Sequence, residues 1–220
     1  MNAASPGSAG WSRPDALLLD AMGTLISLRH PLGTTYAEAA ADHGLQVEPA
    51  AIEAAFAAAY AGAPPLAFPG LGGEALRAAE IAWWGARIDA VLLDTIGLPG
   101  PAALHHQLFE TYADPAQWRV YDDVPAMLER WSDAGIRLAV VSNFDSRLPG
   151  LLEQLGLARW LSAVVVSSSA GAAKPDPAPF RFALELLELD AHQVWHVGDS
   201  AEDVAGAAAA GLPCIQVRRP

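Results

Sequence analysis

Short apolar runs recur along this chain, and each of the main ones ends in a polar residue. Leu17-Leu18-Leu19 runs into Asp20, Ile136–Val141 into Ser142-Asn143, and Val194–Val197 into Gly198-Asp199. A few apolar residues closed by a turn signal read as a buried strand. Ala163–Val166 and Cys214–Val217 complete a set of five. Between and before them lie helix-forming stretches, Val124–Ala134, Leu148–Leu155, Pro179–Leu189 and Ala201–Ala210, three of them closed by Gly135, Gly156 and Gly211. Strands alternating with helices require right-handed crossovers and a parallel sheet covered on both faces.

The predicted fold class is therefore α/β: a Rossmann-like parallel sheet core, doubly wound and three-layered. One block breaks the alternation. From Thr34 to about Ala113 the pattern is helical, over Thr34–His43, Pro49–Ala61, Glu74–Ile96 and Pro101–Ala113, with Ala-rich turns and no β-rich run. This predicts an α-helical cap inserted at 28–117 into a core made of 13–27 and 118–220. Met1–Ser12, rich in Gly, Ser, Pro and Ala without an apolar block, reads as a disordered tail and not a signal peptide.

Composition removes several classes of function. The 220 residues carry a net charge of -12 and no basic stripe, which argues against nucleic acid or an anionic membrane as partner. Hydrophobic content is 52%, yet no uninterrupted apolar run approaches the roughly 18 residues of a membrane span. The single cysteine, Cys214, excludes an intramolecular disulfide and fits a reducing cytoplasm; its place in an apolar run makes it a core residue. Of 13 basic residues only Lys174 is a lysine. A compact ammonium serves a tight phosphate contact that Arg does not reproduce.

The carboxyl ends of parallel strands lie on one edge, so Asp20, Ser142-Asn143, Lys174 and Asp199 should meet at one mouth. Separated carboxylates there suit Mg²⁺, Lys and Ser donors suit a transferring phosphoryl group, and an Asp can act as the nucleophile.

Asp20-Ala21-Met22-Gly23-Thr24, Ser142-Asn143, Lys174 and Gly198-Asp199-Ser200 with Asp203 resemble, in order and spacing, the four motifs of the haloacid dehalogenase-like hydrolase superfamily. Val141–Leu148 and the Leu151–Leu157 stretch look most like its rhythmically-expressed-gene-like branch. The resemblance implies Asp20 as nucleophile and Mg²⁺ ligand, with the backbone carbonyl of Met22 and the carboxylate of Asp199 as further ligands. It implies Asp203 as holder of the metal's water shell or of Lys174, and Thr24 as the residue that orients the first motif. Ser142 and the Asn143 amide would contact the phosphoryl group, and Lys174 would neutralise charge. The implied substrate is a small phosphorylated metabolite.

Met22 departs from the pattern. Phosphatases of this family carry an Asp there, which protonates the leaving oxygen and then activates water; Met does neither. Three readings follow: a Mg²⁺-dependent phosphohydrolase with weak or unusual activity, a 2-haloacid dehalogenase, or a non-catalytic phospho-ligand-binding protein. The dehalogenase branch lacks the metal motif present here, and Ala51 stands near where its halide-binding Arg would be. A phosphonatase needs a cap Lys, and Lys174 is the only Lys.

Other residues read as structural. Trp83-Trp84 are expected in the cap core, His105-His106 as surface or partly buried residues, Asp176 as a turn cap, and Asp122-Asp123 at the junction of cap and core.

Overall fold

The computed structural model describes residues 13–219; the tail expected at 1–12 lies outside the described residues. The chain opens with β1 (Ala16–Leu19) and β2 (Ile26–Leu28), then four helices: α1 (Leu32–Asp42), α2 (Pro49–Ala61), α3 (Gly73–Ile96) and α4 (Ala102–Thr111). It returns through β3 (Trp118–Val120), α5 (Val124–Asp133), β4 (Arg137–Ser142), α6 (Leu148–Gln154) and β5 (Leu161–Val166). The last elements are α7 (Ser167–Ala170), α8 (Ala178–Leu187), β6 (Val194–Gly198), α9 (Ala201–Ala209) and β7 (Cys214–Gln216).

Five parallel strands form the sheet in the order β5-β4-β1-β6-β7. From β1 the chain moves outward to β4 and β5, then crosses back to β6 and β7. Strand order thus reverses beside β1, and the crevice outside the carboxyl ends at such a reversal is where α/β sheets hold ligands.

Two-residue periodicity sends alternate side chains to opposite faces. On β1, Leu17 and Leu19 join Val124, Leu128, Leu148 and Leu151 on the face covered by α5 and α6. Ala16 and Leu18 join Phe180, Ala183, Leu187 and Ala207 on the face covered by α8 and α9. On β4, Leu138 and Val140 divide from Ala139 and Val141 in the same way. This is the three-layer arrangement expected from the apolar runs.

The four helices α1–α4 have their own apolar centre, built on Tyr36, Ile52, Ile88, Val91, Leu104 and Leu108. Local signals set their limits. Pro49 occupies the first turn of α2, where its missing N–H costs nothing, and Gly97 ends α3 in a left-handed conformation. On either side of the helical segment, β2 and β3 pair antiparallel, Ile26 with Val120 and Leu28 with Trp118. Among the described residues no helix is long and apolar enough to cross a membrane.

Candidate active site

Asp20 is the first residue after β1. Its backbone N–H donates to the Val197 carbonyl, which fixes the chain where it leaves the sheet. The carboxylate is buried, and its Oδ1 accepts hydrogen bonds from Ser142 Oγ at 3.0 Å and Lys174 Nζ at 2.6 Å. Ser142 ends β4, the neighbouring strand, so the strand register itself brings these two side chains together.

Lys174 arrives on the loop between α7 and α8. Its ammonium donates to Asp20, to the Val141 carbonyl at 3.2 Å and to Asp203 Oδ1 at 2.5 Å. Asn143 clamps that loop: its Oδ1 accepts from the Lys174 backbone N–H at 2.7 Å, and its Nδ2 donates to the Lys174 carbonyl at 2.9 Å. The same Nδ2 donates to Glu202 Oε2 at 3.1 Å. The Asn143 side chain is therefore committed to positioning Lys174.

Asp203 lies in the first turn of α9, whose N-terminus it closes with Ser200. Ser200 Oγ accepts from the Asp203 N–H at 3.1 Å, while Asp203 Oδ2 accepts from the Ser200 N–H at 3.0 Å and hydroxyl at 2.7 Å. Oδ1 accepts from Lys174 and from His196 Nε2 at 2.8 Å. Both oxygens of Asp203 are thus held by protein donors.

Burial alone disfavours ionised Asp203, but the bonds from His196, Lys174 and Ser200 outweigh it and hold this carboxyl below the usual range. Asp20 goes the other way. Burial raises it, against the Lys174 charge, and the Asp203 charge adds to the rise. Two carboxylates share one ammonium, and Asp203, with more donors, takes the charge more readily. For Lys174 itself burial opposes the charged form, while Asp20 and Asp203 overcome that and raise it.

Asp199 follows β6. Thr24 Oγ1 donates to its Oδ1 at 3.3 Å. Oxygens of Asp20, Asp199 and Asp203 lie within 4.8 Å of one another. Glycine makes this approach possible. Gly23 has φ +80°, and a Cβ there would lie 2.3 Å from Asp199 Oδ2; a Cβ at Gly198 would lie 2.3 Å from Asp203 Cγ. Met22, between Asp20 and Gly23, is 41% exposed.

That exposure faces a cavity of about 310 Å³ between the sheet core and the helical segment. Met22, Asn143 and Phe144 contribute from the core side, and Phe56, Tyr60 and Trp84 from the helices. Tyr60, exposed as a residue, lines the cavity. Desolvation, then the charges of Glu202 and Asp20, push its hydroxyl upward.

Contacts across the boundary hold the two parts together. Asp145, fully buried, accepts from Trp84 Nε1 at 2.7 Å and from Arg147 Nε and Nη2 at 2.8 and 2.5 Å. Arg147 Nη1 donates to the Phe109 carbonyl at 2.6 Å. Glu80 of α3, also fully buried, accepts from the Ser146 N–H at 2.8 Å and hydroxyl at 2.5 Å. Removing either carboxylate would leave buried donors without partners.

The residues singled out from sequence converge on one mouth: Asp20, Ser142, Lys174, Asp199 and Asp203 meet, with Thr24 and Asn143 beside them. Trp83 is buried in the helical segment with its indole N–H on the Pro64 carbonyl, whereas Trp84 lies on the cavity wall, so the expectation of core fits only the first. His105 pairs with Asp89 at 2.8 Å, and Asp176 accepts from the Ala178 N–H at 2.8 Å as a turn cap. Cys214 is only half-buried in β7. Asp145, Arg147, Glu80 and His196 were not anticipated.

The sequence pattern of haloacid dehalogenase-like hydrolases matches residues 14–211. The chain belongs to this family. It is 39% identical over 212 residues to the human haloacid dehalogenase-like hydrolase domain-containing protein 3, covering 93% of this chain and 82% of that protein. It is 34% identical over 204 residues to a plasmid-borne phosphoglycolate phosphatase of Cupriavidus necator, covering 92% and 80%. Among solved structures, a predicted phosphoglycolate phosphatase from Haemophilus somnus superposes with a TM-score of 0.67 at 20% identity, over 94% of this chain and 86% of that one. The last likeness establishes fold; the first two establish kinship among haloacid dehalogenase-like hydrolases.

Proposed function

We propose that this haloacid dehalogenase-like protein hydrolyses phosphate monoesters in two steps through a phosphorylated Asp20. The observation that carries the reading is the buried Asp20 carboxylate, held by Ser142 and Lys174, with Met22 and Asn143 close by in the chain lining a cavity. Kinship with phosphoglycolate phosphatases supports a small phosphorylated substrate.

The donor set fits Mg²⁺. Asp20 and Asp199 offer carboxylate oxygens, Gly23 lets the first turn lie close against Asp199, and hard oxygen donors suit a hard cation. Asp20, Asp199 and the Met22 carbonyl would hold the ion, with Asp203 acting through its water shell or through Lys174. When bound, Mg²⁺ would neutralise charge on the phosphoryl oxygens.

Lys174 keeps Asp20 aimed and compensates for phosphate charge near the nucleophile. Ser142 orients the same carboxylate and would turn its hydroxyl to the phosphoryl group when substrate is bound, joined there by the Asn143 backbone N–H, and Thr24 holds Asp199. The α1–α4 segment serves as a cap that excludes water from the transfer. Met22 brings no proton, so alkyl phosphates should turn over slowly. Asp199 and Asp203 supply, beside Asp20, the metal-type carboxylates that the dehalogenase branch lacks, which disfavours the dehalogenase reading.

Hydrolysis of acetyl phosphate and p-nitrophenyl phosphate, with and without Mg²⁺, tests this alongside chloride release from 2-chloropropionate. Mg²⁺-dependent phosphate release without chloride is expected. Metal-independent chloride release would overturn the reading.

A further inference from the structure

The cavity lined by Met22, two residues after Asp20, constrains what the substrate carries besides phosphate. Its one charged lining residue among those described is Arg147. That guanidinium is already occupied, with Nε and Nη2 on Asp145, Nη1 on the Phe109 carbonyl, and its carbon 3.9 Å from the Phe109 ring centre. Asp145 already balances its charge and three of its N–H groups are used, so it brings no uncompensated cation to a substrate carboxylate, and a carboxylate desolvated without one is strongly disfavoured. Ring faces, by contrast, are abundant. Tyr60 stacks on Phe56 at 6.0 Å and on Trp84 at 6.3 Å, so three aromatic side chains line one wall. Such surfaces favour a flat apolar guest. A volume of about 310 Å³ lies at the small end of ligand cavities, which run from about 300 to 1,000 Å³.

A second observation concerns the leaving oxygen. No carboxyl or imidazole group is among the described cavity residues; Met22 stands at the floor, and the remaining protons belong to Arg147, the Asn143 amide and tyrosines. On the cavity side the leaving group therefore meets no carboxyl or imidazole acid. A phenolate departs readily without one, since phenols ionise near ~10, as Tyr does. An alkoxide resembles hydroxide, whose parent water ionises near ~15.7.

We propose that the cavity receives the aryl group of a phosphate monoester, so that phenolic phosphates, and not carboxylate-bearing alkyl phosphates, are the substrate class. The proposal rests on the phosphohydrolase reading and sharpens it. In the first step an Asp20 oxygen bonds to phosphorus as the aryl O–P bond breaks, and the electron pair leaves on the phenolate, which takes a proton from solvent. Water then bonds to phosphorus, the Asp20 O–P bond breaks, the carboxylate is regenerated, and the proton of the water passes to solvent with inorganic phosphate.

The test compares 2-naphthyl phosphate, phosphoglycolate and acetyl phosphate as substrates of the full chain. Calorimetric binding of the first two to Asp20→Asn completes it. The aryl ester should exceed phosphoglycolate at least about tenfold in kcat/KM and in affinity. Equal or better phosphoglycolate performance, with acetyl phosphate hydrolysed, would overturn this proposal alone. Acetyl phosphate needs neither a proton donor nor the cavity, so its complete resistance would instead defeat the phosphohydrolase reading, and the substrate claim with it.

Discussion

The ammonium of Lys174 lies 2.6 Å from Oδ1 of Asp20, buried at the carboxyl end of the central strand. A cation in that place keeps two carboxylates, Asp20 and Asp203, inside the protein. Replacing it by an apolar side chain leaves buried charge unpaired, which typically costs about 3–5 kcal/mol. Lys174→Met is therefore expected to lower urea stability by an amount of that order and to abolish turnover. Lys174→Arg is expected to lose turnover too, because a planar fork does not replace a compact ammonium. Unfolding curves and phosphate release check both.

The carboxylates around Lys174 also set the acid limb of stability. Asp203 ionises below its ordinary 3.8 in the native state, so the unfolded chain takes up that proton first as pH falls. Its stabilisation is complete above 3.8 and is lost as pH falls through the lower native value. Asp20, raised in the native state, acts in the opposite sense and returns part of the loss. Lys174, raised above 10.5, stabilises below that pH and ceases to do so as pH rises through its native value. As pH falls below about 4 the urea midpoint of the wild type should drop more steeply than that of Asp203→Asn. Parallel slopes would contradict the assignment.

Met22 separates binding from proton transfer. Met22→Asp places a carboxyl two residues from Asp20, facing the cavity. Acid–base assistance is worth about 10²–10⁴-fold, so alkyl phosphate turnover should rise toward that range while acetyl phosphate turnover changes little. A steady-state comparison of the two substrates reads this out.

Gly23 tests the metal reading. A Cβ here meets Asp199 Oδ2 at 2.3 Å, at a φ of +80° that side chains rarely adopt. Gly23→Ala should cost about 1–3 kcal/mol of stability and weaken Mg²⁺ affinity by displacing Asp199. Calorimetric titration with Mg²⁺ measures the second effect independently of activity.

Much of this site could be read from sequence because each chemical residue sits at the end of an apolar strand. Strand ends in a parallel sheet share an edge, so Asp20, Ser142 and Asp199 were bound to meet once the alternation was recognised. Lys174 was found by its rarity and its place in the motif order, not by any strand. The strands β2 and β3 escaped notice because three residues carry no usable periodicity, and their pairing joins positions about ninety residues apart. Trp84 and Asp145 illustrate the same limit. An indole in an Ala-rich helix looks like core until the fold shows a buried carboxylate 2.7 Å away. Asp145 and Arg147, read alone, are two polar residues after a strand; their mutual pairing, which removes a free cation from the cavity, exists only in three dimensions.

The central claim is a phosphoryl group carried on Asp20. The direct measurement is mass spectrometry of protein acid-quenched during turnover of acetyl phosphate in Mg²⁺. The account predicts a phosphoryl adduct on the peptide containing Asp20, removed by mild base and absent from Asp20→Asn. Continued phosphate release by Asp20→Asn, or an adduct on another residue, would contradict it.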